Sequence, residues 1–174
     1  DRVYVDRREF QALINQTSRA LQMHAGMPLP EPTYQQLVKA ARLWRTPRFM
    51  SGANLSARAG IDSWLATSAQ TQEFVLQRVL VRLAEHSALT GDLETALQWM
   101  YQATEVEPFN DENHLRALLW LRDLGRRGDA LKYFQQMKAD YERDGYRLPE
   151  DILQLGADLQ EEAAHRAVDE PPIW

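Results

Sequence analysis

Residues 91–109 read GDLETALQWMYQATEVEPF, and residues 125–142 read GRRGDALKYFQQMKADYE. The two stretches align at an offset of 34 residues. Gly91 falls on Gly125, Ala96 on Ala130, Leu97 on Leu131, Trp99 on Tyr133 and Met100 on Phe134. Each opens with a glycine, the residue that tolerates the left-handed backbone of a tight reversal. A small residue follows where two helices would approach closely, and a large apolar one fills the space a turn further on. The expected unit is therefore a helix, a turn at the glycine and a second helix. Asp92 is placed to cap that second helix, which runs through Val106. Pro108 closes the first unit and has no counterpart, because Glu142 stands at the equivalent position.

A helix–turn–helix period of 34 is the tetratricopeptide pattern. About three such units are needed for a stable stack, so two must be completed by the helices on either side. The fold class expected is all-α, a tetratricopeptide-like α–α superhelix of about seven helices. Val3-Tyr4-Val5 reads as a short extended lead-in. From Asp6, Phe10, Leu13, Ile14, Thr17 and Leu21 recur at helical spacing to about Met23. MPLPEPT, residues 27–33, carries three prolines and breaks the helix, with Thr33 as the next cap. Leu37, Val38, Ala41 and Trp44 give the second helix an apolar face. RFMSGANLSARAG, residues 48–60, reads as a loop whose Phe49, Met50 and Leu55 tuck into the core. A long helix is expected from Asp62 or Ser63 to Gly91, buried along Trp64, Leu65, Phe74, Val75, Val79, Leu83 and Leu89. Helices over about 111–124 and 128–143 follow. The last starts at Leu148-Pro149 and buries Ile152, Leu155 and Leu159. Residues 167–174 read as a tail.

The composition excludes several kinds of chemistry. The 174 residues contain no cysteine, so disulfides, thiolate metal sites and a cysteine nucleophile are absent. No apolar run approaches the roughly 18–20 residues of a membrane span. His24, His86, His114 and His165 are scattered, with no paired metal-ligand spacing. Glu85-His86-Ser87 holds the residue types of a triad, but helix neighbours point about 100° apart and cannot form a relay. GRRGD lacks the Lys-Ser/Thr and the preceding strand of a phosphate loop. No enzyme, cofactor or metal is expected. The net charge of −5 is uneven. Residues 1–60 carry nine basic residues against four acids, a net of +5, leaving −10 for residues 61–174. An acidic majority is a poor surface for duplex DNA, whose phosphates require Lys and Arg.

The chain also resembles a known family. The segments VYVDRREFQAL, KAARLWRTPRFMSG and GDLETALQWMYQATEVEPFNDENHLRALLWLRDLGRRGDALKYFQQMKADYERDGYRLP carry the resemblance. They are similar to the bacterial transcriptional activator domain, the helical module of the Streptomyces antibiotic regulatory protein family and related regulators. The resemblance covers about residues 3–165, and its most specific part runs from Gly91 to Pro149. It implies a domain over residues 1–166 and a winged-helix DNA-binding domain upstream that is absent from this chain. It implies a non-catalytic regulatory and interaction module in the cytoplasm, with no membrane. The implied partners are its own DNA-binding domain, RNA polymerase or other subunits, and a homodimer is allowed. DNA would be met only through the neighbouring domain. The alternative is a free-standing repeat scaffold that binds a peptide or signalling protein.

Two groups of residues are candidates for contact. In helical-repeat arrays the first helix of each unit lines the concave surface. The polar residues there are Arg78, Arg82, Glu85, Arg116 and Arg122. The carboxylate clamp of chaperone-binding repeats is not present, since Val81 and Glu85 occupy its first two positions. Lys39, Arg42 and Arg45, with Arg48 just beyond, form a basic stripe opposite Leu37, Val38 and Ala41. Such a stripe suits phosphates or the acids of a neighbouring domain.

Overall fold

Three helices of the protein end in the same way. In a computed structural model describing the backbone of residues 2–43 and 59–169 and the side chains of 8–43 and 71–164, Gly91, Gly125 and Gly145 have φ of 85°, 72° and 79°. The residue after each glycine donates its N–H back to a helix carbonyl: Asp92 to Ser87, Arg126 to Leu121 and Tyr146 to Tyr141, each at 2.9 Å. The glycine N–H itself reaches Ala88, Arg122 or Glu142. This double closure satisfies carbonyls that a helix end would otherwise leave open, and it needs a left-handed residue. Gly91 and Gly125 are the repeat glycines. Gly145 ends the second helix of the second unit.

The helices are α1 (Arg2–Met23), α2 (Glu31–Leu43), α3 (Ala59–Leu89), α4 (Leu93–Val106), α5 (Asp111–Asp123), α6 (Arg127–Arg143) and α7 (Glu150–Asp169). No strand occurs among the described residues, so the all-α expectation holds. The chain divides into two compact units, Asp1–Pro108 and Phe109–Trp174. The division falls at the proline that closes the first repeat.

In the first unit α1 packs on α2, α2 on α3 and α3 on α4. Phe10, Leu37, Leu83, Leu97 and Met100 are almost fully buried. Ala96 has no exposed surface, as a close helix contact requires. The Asp92 side chain accepts the Thr95 N–H at 3.0 Å, which caps α4. Thr17 is buried in α1, and its hydroxyl donates to the Leu13 carbonyl at 3.0 Å, so its burial leaves no open donor.

In the second unit α5 packs on α6 and α6 on α7. Ala130, Leu118, Leu121, Ile152 and Leu159 are buried. Asn110 caps α5 by accepting the Asn113 N–H at 3.1 Å. Gly156, in the middle of α7, lies directly under the ring of Phe134. A Cβ on Gly156 would collide with the tip of that ring. α7 therefore leaves room for the Phe134 ring of α6 by having no side chain at Gly156.

Several boundaries differ from expectation. Val3-Tyr4-Val5 is helical, because α1 begins at Arg2. The weak strand preference of three residues yields where the described residues offer no partner strand. Thr33 does not cap α2. The helix starts at Glu31, the Tyr34 N–H bonds the Pro30 carbonyl at 3.0 Å, and Thr33 is buried inside the first turn. Pro32 fits there because first-turn N–H groups need no helical partner. α3 begins at Ala59, ahead of Asp62, and α7 runs to Asp169, into the segment read as tail. Phe74 and Leu89, expected in the core, are 61% and 51% exposed. Val79 and Leu83 are buried as expected, and Leu76, Leu80 and Ala84 complete the buried arc of α3. With α2 and α4 both packed on it, α3 buries a broad arc that a single apolar stripe does not describe. Trp44, the loop residues Phe49, Met50 and Leu55, and the side chains of Trp64 and Leu65 lie outside the described residues.

Candidate functional site

The outward face of α3 follows from helical spacing. Thr71, Phe74, Arg78, Val81 and Glu85 recur every three or four residues, opposite the buried arc. Phe74 and Arg78 are both exposed, and the Arg78 guanidinium carbon stands 5.8 Å from the centroid of the Phe74 ring. That is the geometry of a cation–π contact. An exposed aromatic ring with a cation held over it can meet an apolar side chain and a carboxylate together.

Arg82 is engaged elsewhere. Its side chain is only 11% exposed. One terminal nitrogen donates to the carbonyls of His24 at 2.6 Å and Met27 at 2.5 Å. The other faces the Glu85 carboxylate at 3.4 Å. A guanidinium donates in a fixed planar fork, so it can hold two carbonyls of one turn at once. One turn further along α3, His86 accepts the Leu29 N–H on Nδ1 at 2.9 Å. Its ring lies 4.3 Å from that of Tyr34, tilted by 31°. Burial lowers the His86 pKa. Glu31 acts in the opposite sense, and Arg82 lowers it further. Of the α3 candidates, Arg78 faces solvent, Arg82 ties α3 to the connection between α1 and α2, and Glu85 pairs with Arg82 on the same helix.

The basic stripe on α2 is described in part. Lys39 and Arg42 are exposed. Lys39 pairs with Glu9 of α1 at 2.6 Å, which offsets one of its charges. Arg45 and Arg48 lie outside the described residues. Leu37, Val38 and Ala41 are buried on the opposite side of the helix.

In the second unit, Arg116 pairs with Glu112 at 2.5 Å and Arg122 lies 3.6 Å from Asp123. Both pairs are on the surface of α5, where such contacts contribute about 0–1 kcal/mol and leave the guanidinium accessible. The same unit holds a polar network that sequence reasoning missed. His114 Nδ1 lies 2.7 Å from the Tyr133 hydroxyl. The Tyr141 hydroxyl donates to Asp111 at 2.8 Å. Burial first, and then the Asp111 carboxylate, raise the Tyr141 pKa, so the phenol stays protonated. Phe109 stacks on Tyr146 at 4.2 Å and meets the edge of Tyr141 at 5.3 Å. Phe109 opens the unit and Tyr133 lies on α6, and no local pattern links either to α5. The arrangement locks the unit together. Among the described residues no group of three His, Asp or Glu could hold a metal ion. No described helix is long and apolar enough to cross a membrane.

A family model described as the bacterial transcriptional activator domain matches residues 5–164. No curated protein and no solved structure matches the chain.

Proposed function

The chain belongs to the bacterial transcriptional activator domain family, and on that basis we propose that it is a non-catalytic interaction module supporting activation by an adjacent winged-helix DNA-binding domain. The observation that carries this reading is the match over residues 5–164, which reaches into every helix from α1 to α7. A domain type that regulates transcription thus spans most of the chain. The polar contacts between helices point the same way. Arg82, His86, His114, Tyr141 and Asp111 are engaged in holding helices together rather than in chemistry on a substrate.

The proposed partners are the DNA-binding domain of the same polypeptide, RNA polymerase or other subunits, with a homodimer allowed. The setting is the cytoplasm, where a bacterial regulator meets its promoter. The proposed contact residues are Arg78 with Phe74 on α3, and Arg116 and Arg122 on α5. Glu85 lies on the same α3 face, and Arg82 holds its carboxylate from beside it. Lys39 and Arg42, with Arg45 and Arg48, are proposed to face the DNA-binding domain or the phosphates beside its site.

The test uses a full-length regulator carrying this module and a promoter reporter. Phe74→Ala with Arg78→Glu should lower promoter output while operator affinity stays the same. Unchanged output in that variant counts against the α3 face. Unchanged output after removal of residues 5–164 counts against the module reading itself.

A further inference from the structure

The connection between α1 and α2 has an unusual supply of backbone donors. Residues 27–32 read MPLPEP, and Pro28, Pro30 and Pro32 have no N–H. Leu29 is 5% exposed, and its N–H is the lone donor between residues 28 and 30. A buried N–H without an acceptor costs about 1–3 kcal/mol. Its acceptor here is a side chain 57 residues away, His86 Nδ1, at 2.9 Å. On the other side of the corner, Arg82 holds the carbonyls of His24 and Met27. Gly26, with φ of 72°, makes the bend between them. The corner is therefore fixed to α3 at both ends by two residues one helical turn apart.

We propose that Arg82 and His86 form an acid-sensitive latch that holds the α1–α2 corner against α3. The chemistry follows from the donor. A backbone N–H can only donate, so Nδ1 must be the unprotonated nitrogen and His86 is neutral with its proton on Nε2. Protonation makes Nδ1 a donor facing another donor, and the Leu29 bond is lost. The new charge also lies near Arg82, which repels it. Glu31 of α2 attracts it. The Tyr34 phenol ring of α2 packs against the imidazole, and Glu85 is engaged with Arg82. His24, whose carbonyl Arg82 holds, has its own ring nitrogen 3.0 Å from the Ala20 carbonyl and stays with α1. Burial outweighs Glu31, so the latched state favours neutral His86.

The direction in pH follows. The latched state has a His86 pKa below the ordinary value of 6.5. The latch is fully closed above that value and opens as pH falls through the lower, latched-state value. Between the two values the opening constant rises by up to about tenfold per pH unit. The consequence is local. The corner and the α1–α2 hairpin loosen from α3, while the α3–α4 pair keeps its apolar core.

Amide hydrogen exchange of the whole chain from pH 8 to pH 5 tests the latch, with protection corrected for the intrinsic rate at each pH. Leu29 should lose up to about tenfold in protection per unit below pH 6.5, while Leu83 holds. In His86→Asn, whose side-chain oxygen can take the place of Nδ1 but does not titrate, Leu29 protection should be flat. Parallel behaviour of Leu29 and Leu83 in the wild type would overturn the proposal, as would an undiminished slope in His86→Asn. If that variant does not fold, the ring nitrogens of His86 in the wild type decide. A midpoint below 6.5 that coincides with loss of Leu29 protection supports the latch. A midpoint at or above 6.5, or a titration that leaves Leu29 protected, overturns it.

Discussion

Replacing Gly156 with alanine sets two known effects against each other. Glycine in a helix interior costs about 1 kcal/mol relative to alanine, so on propensity alone α7 should gain that much. The structure places the new methyl group inside the ring tip of Phe134, which is only 3% exposed. That ring cannot swing into solvent without giving up its own burial. Either α7 moves off α6 or the ring leaves its preferred rotamer, and overpacking of this kind costs roughly 1–3 kcal/mol. The net expectation is a loss of about 1 kcal/mol, or about 2–4 °C in Tm for a chain of this size. The assay is thermal and denaturant unfolding of Gly156→Ala, Phe134→Leu and the double variant. With the ring tip removed, Gly156→Ala should recover the propensity gain and become stabilising by about 1 kcal/mol. The coupling between the two sites should then be about 1–3 kcal/mol. Equal stabilisation by Gly156→Ala in both backgrounds would refute the close contact.

Ala130→Leu should destabilise by roughly 1–3 kcal/mol, since Ala130 has no exposed surface; a melt that does not move would tell against the paired-helix register. Asp92→Ala should cost about 1 kcal/mol at neutral pH by freeing the Thr95 N–H. The Thr95 N–H holds the Asp92 carboxyl below its ordinary value of 3.8, so this stabilisation is present above that value and lost as pH falls through the lower folded-state value. Stability curves of wild type and Asp92→Ala should therefore converge in acid, and a constant gap would exclude the charged cap. The isolated chain should bind duplex DNA weakly or not at all, because residues 61–174 carry a net −10. Tight, sequence-selective binding in a salt titration would sink the interaction-module reading.

What the sequence determined by itself is the set of local events. Gly91, Gly125, Asp92, Ala96 and Ala130 could be assigned because a helix end, a cap and a close helix contact each demand a particular residue type within one turn of itself. The repeat of those demands at 34 residues gave the helix pairs, and with them the fold class and the resemblance. Even so, local signals erred where they were weak. Val3-Tyr4-Val5 was too short to impose a strand, and Thr33 lost the cap to a helix that tolerates Pro32 in its first turn. The direction of each side chain was decided by tertiary structure. Phe74 has the composition of a core residue, yet it faces outward because α2 and α4 occupy the opposite arc of α3. Arg82 has the look of a surface contact, yet its charge is spent on two carbonyls 58 and 55 residues away. Gly156 carries no turn or cap signal, and its reason is the Phe134 ring on another helix. Contacts between distant segments depend on three-dimensional packing, and neither partner's local sequence bears a mark of the other.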